Sequence, residues 1–199
     1  MTLKSPQKWV VGLSGVILSG KSTALAFFKQ NGAAVFSADE IVCALYEKKS
    51  VRTQLERAFG TADKAALAQI VFTNKNKRRA LEEQLHPLVL QEMRLRIKAC
   101  ASPLVVCEIP LLFEAGWDKY VDMTLAVCAD KKTLSARLKA RRLTRAEYAK
   151  RLKNQLPEAE KCARADVVLY HTHKTDLELK VKRLCQAFDL LNNRSKNGR

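Results

Sequence analysis

The sequence contains no apolar run long enough to cross a bilayer, and no apolar segment at its start. A membrane-spanning chain is excluded, and no secretory signal is expected. Internal repeats and low-complexity stretches are also missing, which excludes solenoids and disordered linkers. Six cysteines occur, at positions 43, 100, 107, 128, 162 and 185, but no C-x-x-C pair. Scattered among apolar neighbours, they are expected as free thiols in a reducing cytoplasm, not as a disulfide framework or a zinc site. Acidic residues are few, 20 Asp and Glu against 36 Lys and Arg, so the formal net charge is +16.

That excess is local. Residues 131–164 hold twelve Lys/Arg and three Asp/Glu, and residues 180–199 hold six Lys/Arg and one Asp. These two segments carry +9 and +5, which leaves only +2 for the rest of the chain. Nucleic-acid binding through stacked bases calls for aromatics interleaved with the cations, yet residues 131–164 contain only Tyr148. A concentrated basic segment of this kind suits a small polyanion better. The basic end, residues 192–199, is expected to be a frayed tail.

What is present is the phosphate-binding pattern G-x-x-x-x-G-K-S over Gly15-Val16-Ile17-Leu18-Ser19-Gly20-Lys21-Ser22. It follows the apolar run Trp9–Leu13 and precedes an amphipathic stretch from Thr23 to Lys29. A strand, a glycine loop and a helix N-terminus in that order cradle a polyphosphate with backbone N–H groups. Lys21 would reach the β- and γ-phosphates, and the Ser22 hydroxyl would ligate Mg²⁺. The pattern demands glycine only at 15 and 20, so Leu18 is expected at negative φ. ATP and Mg²⁺ are the implied donor and cofactor.

Four more apolar runs read as strands: Ala33–Phe36, Leu104–Cys107, Met123–Val127 and Asp166–Tyr170. None alternates with polar residues, which predicts an α/β fold with a parallel five-stranded sheet buried on both faces. Ligands on such sheets lie beyond the strand carboxyl ends, which directs attention to Asp39, Glu108 and the segment after Tyr170. Asp39 reads either as the base that orients an acceptor hydroxyl or as the N-cap of a helix starting at Glu40. Glu108 ends its strand as a loose metal-supporting acid. His171 and His173 are too few to form a metal site. Asp130 and the Thr144-x-x-Glu147 capping box start two helices of a lid. The first is expected to put Arg137 and Arg141 on one face, with Arg142 turned away. The core then covers 1–39, 99–130 and 165–191, with a helical insertion at 40–98 and the lid at 131–164.

These pieces resemble the dephospho-CoA kinase family over nearly the whole chain. The similarity rests on the phosphate loop, Val35-Phe36-Ser37-Ala38-Asp39, Leu85-His86-Pro87-Leu88-Val89, and Ile109-Pro110-Leu111-Leu112-Phe113-Glu114. It continues in Arg151-x-x-x-Gln155 and Glu160-Lys161-x-Ala163-Arg164-Ala165-Asp166. The resemblance implies transfer of the ATP γ-phosphate to the ribose 3′-hydroxyl of dephospho-CoA in the cytoplasm, with no membrane or nucleic-acid partner. It implies that Gly15, Leu18, Ser19, Gly20, Lys21, Ser22, Thr23 and Arg137 bind ATP. Lys21, Asp39 and Arg141 would be catalytic, with Asp39, His86, Pro110, Leu111, Leu112 and Glu114 around the acceptor. The chain departs from the family at Val16 and Leu18, where glycine is usual, at Arg142, where the lid motif has Asp, and at His171-Thr172-His173. Another small-molecule nucleoside or nucleotide kinase is the alternative, followed by an ATP-binding nucleic-acid protein.

Overall fold

The structure is a computed structural model that describes residues 2–5 and 7–197. It divides into two compact units, one of residues 1–36 and 100–199 and the other of residues 37–99.

The first unit is built on a parallel sheet. Its strands are β1 (Trp9–Ser14), β2 (Ala34–Ser37), β3 (Leu104–Glu108), β4 (Met123–Cys128) and β5 (Val167–Tyr170), in the order β2-β3-β1-β4-β5. Each lies within two residues of its expected run. Central β1 pairs with β3 from Trp9 opposite Leu104 to Leu13 opposite Glu108, and with β4 from Val11 opposite Met123 to Ser14 opposite Ala126. Helices on the faces account for the continuous apolar reading of these strands. Helix α1 (Lys21–Gln30) and helix α9 (Lys174–Asn197) pack together and bury Phe27, Phe28, Leu177, Val181 and Phe188 against the sheet. Trp9 meets Phe188 with ring centroids 5.4 Å apart. Burying a side chain such as Phe28 contributes about 1.5–3 kcal/mol. Helix α9 runs to Asn197, so the expected frayed tail from residue 192 is helical that far. Residues 198 and 199 lie outside the described residues.

The second unit holds α2 (Ala38–Glu47), α3 (Lys49–Phe59), α4 (Lys64–Thr73) and α5 (Lys75–Ala99). Leu85, Val89, Met93 and Ile97 recur every fourth residue on α5 and are all buried, the apolar stripe of an amphipathic helix. Asp63 caps α4 by accepting the Ala66 N–H at 2.8 Å. Helix α2 begins earlier than the chain pattern suggests. Ser37 occupies its N-cap position, so Asp39 lies within the first turn and is not the cap.

Residues 131–164 form three helices: α6 (Lys131–Ala140), α7 (Arg145–Leu152) and α8 (Glu158–Arg164). Asp130 accepts the Thr133 N–H, and Thr144 and Glu147 complete the capping box, as their spacing predicts. The end of α6 differs from expectation. Arg142 takes φ 52, its N–H bonds the Lys139 carbonyl, and the Leu143 N–H bonds the Leu138 carbonyl. This is a Schellman closure with arginine where glycine is usual. It stops the helix at Ala140, with Arg141 as the C-cap, whose N–H still bonds the Arg137 carbonyl one turn back at 3.1 Å.

Cys128, at the end of β4, is joined to Cys162 on α8 by a disulfide, contrary to the expected set of six free thiols. Spacing carries no hint of it, because 34 residues separate the two. Cys43, Cys100, Cys107 and Cys185 take part in no disulfide among the described residues.

Lys161 is the most unusual buried group, with no exposed surface. Its ammonium lies 2.8 Å from Glu114 Oε1, donates to the Pro110 carbonyl at 2.7 Å and reaches Ser14 Oγ at 3.4 Å. Removing one member of a buried ion pair strands the other charge, at about 3–5 kcal/mol. Lys161→Met should therefore lower unfolding free energy by about that amount. Adding Glu114→Gln, which removes the charge and keeps the acceptor for Leu156, should recover more than half. A denaturant-unfolding double-mutant cycle checks this, and additive losses would contradict it.

Candidate active site

The loop from Gly15 to Ser22 leaves β1 at the carboxyl edge of the sheet and enters α1. Gly20 is the N-cap of α1 at φ 108 and supplies no side chain to the cap. The first-turn N–H groups of that helix therefore stay available to an anion. A Cβ at Gly20 would land on His171 Nδ1, and one at Gly15 would lie 2.7 Å from Ser19 Oγ. Both positions are thus fixed as glycine by space as well as by φ. The Lys21 ammonium folds back over the loop, donating to the Gly15 carbonyl at 3.0 Å and to the Val16 carbonyl at 3.1 Å. Ser19 is fully buried and its Oγ has no hydrogen-bond partner, whereas Ser22 is exposed in the first turn of α1.

Leu18 sits at φ 67, which overturns the expectation of negative φ. The reason is external to the loop. Arg137, from α6, donates through one guanidinium nitrogen to the Leu18 carbonyl at 2.8 Å and to the Ser19 carbonyl at 2.7 Å. With the chain turned at Leu18, both carbonyls face the one guanidinium. A left-handed non-glycine residue costs about 1–2 kcal/mol, which two charge-assisted hydrogen bonds can offset. The second guanidinium nitrogen approaches the His171 carbonyl at 3.4 Å. Arg137 is therefore already committed to the loop backbone, while Arg141 and Arg142 are exposed.

His171 opens the segment after Tyr170 to which the strand-end rule pointed, and the structure places it against the loop. It is 6% exposed, its N–H bonds the Cys128 carbonyl at 2.7 Å, and its Nδ1 is buried without a partner. Burial, then the Arg137 charge, push its pKa down, against a smaller pull from the Ser19 backbone. The imidazole is thereby kept neutral beside the phosphate loop.

The run after β3 forms turns. Leu112 is fully buried, and a Cβ on Gly12 would stand 2.9 Å from its Cδ2. It is thus a packing residue, while Pro110, Leu111 and Glu114 are only partly buried. Glu114 Oε1 accepts from Lys161 and from the Leu156 N–H, the latter at 2.8 Å, and its Oε2 is buried without a partner. The Ile17 N–H donates to Gln155 Oε1 at 3.3 Å. A cavity of about 290 Å³ lies between Val16 and residues of α6 to α8 that include Leu134, Tyr148, Leu152 and Glu158. Burial raises the Glu158 carboxyl pKa. The first unit therefore brings together the loop, Arg137, His171, Pro110 to Glu114, Gln155 and Lys161. Lys161 and Gln155 are visible in the sequence only as parts of a motif.

Asp39 and His86 belong to the second unit. Asp39 is exposed in the first turn of α2. His86 lies on α5, where burial lowers its pKa and Glu82 works the other way.

A family model described as dephospho-CoA kinase (CoaE) matches residues 9–176 of the chain. The chain belongs to the dephospho-CoA kinase family. It is 34% identical over 187 residues to a dephospho-CoA kinase of Fusobacterium nucleatum, covering 89% of this chain and 97% of that protein. To a dephospho-CoA kinase of Thermus thermophilus it is 37% identical over 181 residues, covering 87% of this chain and 88% of that protein. The crystal structure of TT1252 from Thermus thermophilus superposes with a TM-score of 0.83 at 34% identity, over 91% of this chain and 97% of that one. As in this family, the fold is a P-loop kinase fold.

Leu18→Gly should relieve left-handed strain but add unfolded-chain entropy of about 0.5–1 kcal/mol, for a net change near zero. Leu18→Val, stiffer at the same φ, should destabilise by roughly 1 kcal/mol or more. Equal melting temperatures for the two variants would contradict the assignment. His171 gives a pH signature. Its folded pKa is depressed, so its contribution is complete above the ordinary value of about 6.5 and is lost as pH falls below it. The melting temperature should drop between pH 7.5 and 5.5, roughly the window in which the unfolded imidazole protonates. His171→Asn should flatten that slope, leaving the part due to His86. An unchanged slope would remove His171 from the account.

Proposed function

We infer that the protein transfers the γ-phosphoryl group of ATP to dephospho-CoA, giving coenzyme A and ADP. The oxygen phosphorylated is the ribose 3′-hydroxyl, and a cytoplasmic location is part of this reading. The observation that carries it is an intact phosphate loop, with Lys21 folded across Gly15 and Val16, in a chain of this family.

Catalysis of phosphoryl transfer is mostly placement and charge neutralisation. Gly15, Leu18, Ser19, Gly20 and Thr23 carry or flank the backbone that turns around the phosphates, and Lys21 neutralises the bridging oxygens. Mg²⁺ fits through Ser22, an exposed residue at the helix start. Among the described residues no group of three or more His, Cys, Asp or Glu could hold a metal by itself, so the ion would enter with the polyphosphate. Bound there, Mg²⁺ would supply charge neutralisation to the polyphosphate. Arg137 sets the loop, and Arg141, exposed at the end of α6, is the cation available to the transferring group. Asp39, a carboxylate just after β2, orients the acceptor hydroxyl and takes its proton. Pro110, Leu111, Glu114 and His86 belong to the acceptor side, with Leu112 behind them.

Incubation with ATP, Mg²⁺ and dephospho-CoA should yield coenzyme A by mass spectrometry, and nucleosides or nucleotides in place of the acceptor should yield no phosphorylated product. Asp39→Asn should lower kcat by about 10²–10⁴. It should shift stability only by the macrodipole contribution of a first-turn carboxylate, about 0.3–1 kcal/mol. Phosphorylation of a nucleoside but not of dephospho-CoA would replace this reading, and an Asp39→Asn enzyme with near wild-type kcat would remove the base.

A further inference from the structure

We propose that Gln155 is a positioning residue of the phosphate loop, which holds the Ile17 amide in place and is itself held by the buried Glu114–Lys161 pair. The inference rests on the reading that this loop binds ATP.

Leu18 is the strained point of the loop, and the residues on either side of it are restrained from the lid. After it, Arg137 grips the Leu18 and Ser19 carbonyls at 2.8 and 2.7 Å. Before it, the Ile17 N–H donates to Gln155 Oε1 at 3.3 Å. A loop that carries leucine at φ 67 has no glycine to adopt that turn freely, so its conformation depends on such outside contacts. The acceptor need of Ile17 also fixes which end of the Gln155 amide faces the loop.

Gln155 does not hang on a mobile stem. Its own N–H bonds the Leu152 carbonyl at 2.8 Å, closing the end of α7. The next N–H, of Leu156, donates to Glu114 Oε1 at 2.8 Å, and that same oxygen takes the Lys161 ammonium at 2.8 Å. Lys161 has no exposed surface and also binds the Pro110 carbonyl. The segment is therefore tied to the core one residue beyond Gln155. Leu152 and Tyr148 wall the adjoining cavity with Gln155, and an apolar wall strengthens the hydrogen bond. Loss of this one contact should leave the fold intact and loosen the loop in its first half.

The test is Gln155→Met, close in shape and without the acceptor. Hydrogen exchange in the ligand-free enzyme should show the Ile17 amide exchanging at least about tenfold faster, the factor expected for one lost hydrogen bond near 1.4 kcal/mol. Calorimetry with a non-hydrolysable ATP analogue should show about five- to tenfold weaker binding, roughly the same loss. The KM for dephospho-CoA should stay within about twofold and the melting temperature within about 3 °C, as for one partly buried hydrogen bond. Unchanged Ile17 exchange or unchanged analogue affinity would overturn the proposal. So would a parallel rise of both KM values with a large loss of melting temperature, which marks a packing role. If Gln155→Met does not fold, Gln155→Asn, one methylene too short to reach Ile17, is judged by the same criteria. A wild-type enzyme that binds the analogue but makes no coenzyme A would sink the activity reading and leave this inference standing.

Discussion

A single dehydrated ammonium holds the first unit together at its working edge. Lys161 has to find oxygen acceptors, because an unpaired buried charge is not tolerated. The acceptors it finds belong to three segments: Ser14 at the exit of β1, Pro110 after β3, and Glu114 in the following turn. Glu114 then receives the chain returning from the lid at Leu156. The phosphate loop, the turn after β3 and the lid base are therefore not independent pieces. Each takes its position partly from the same few atoms.

Much of this is legible in the chain. Unbroken apolar runs at Val10, Val105 and Leu125 signal strands covered on both faces, and the parallel sheet follows. Glycine at 15 and 20 with Lys21 and Ser22 marks the loop, and Asp130 and Thr144 mark helix starts because capping chemistry is local. Where sequence and structure part, the deciding partner is usually remote. Leu18 takes its left-handed turn because of a guanidinium 119 residues away. Lys161 reads as one more cation of a basic segment suited to a polyanion, and only tertiary structure shows that its charge is internal. Arg142 closes α6 with φ 52 although nothing in its chemistry favours that conformation. Asp39 differs in kind: Asp caps well, but Ser37, also a good cap by type, stands two residues earlier and takes the position.

Local charge tells the same story about function. The +9 of residues 131–164 suggests a grip on a polyanion, yet its members divide by environment. Arg137 serves the loop backbone, Lys161 is neutralised by Glu114, and Arg141 and Arg142 remain on the surface. Net charge by itself does not separate a cation that binds substrate from one that shapes the binder. Distances and burial do.

The Cys128–Cys162 bridge changes the covalent topology of the molecule. Its two ends enclose residues 129–161, so α6, α7 and most of α8 form a ring of chain closed at the end of β4. Both mouths of that ring meet the core at one place, beside the strand that pairs with β1. While the bridge is intact, a cut at any peptide bond between Cys128 and Cys162 leaves the protein a single covalent molecule, and the two new ends cannot diffuse apart. The three helices are in this sense a handle fastened at its base.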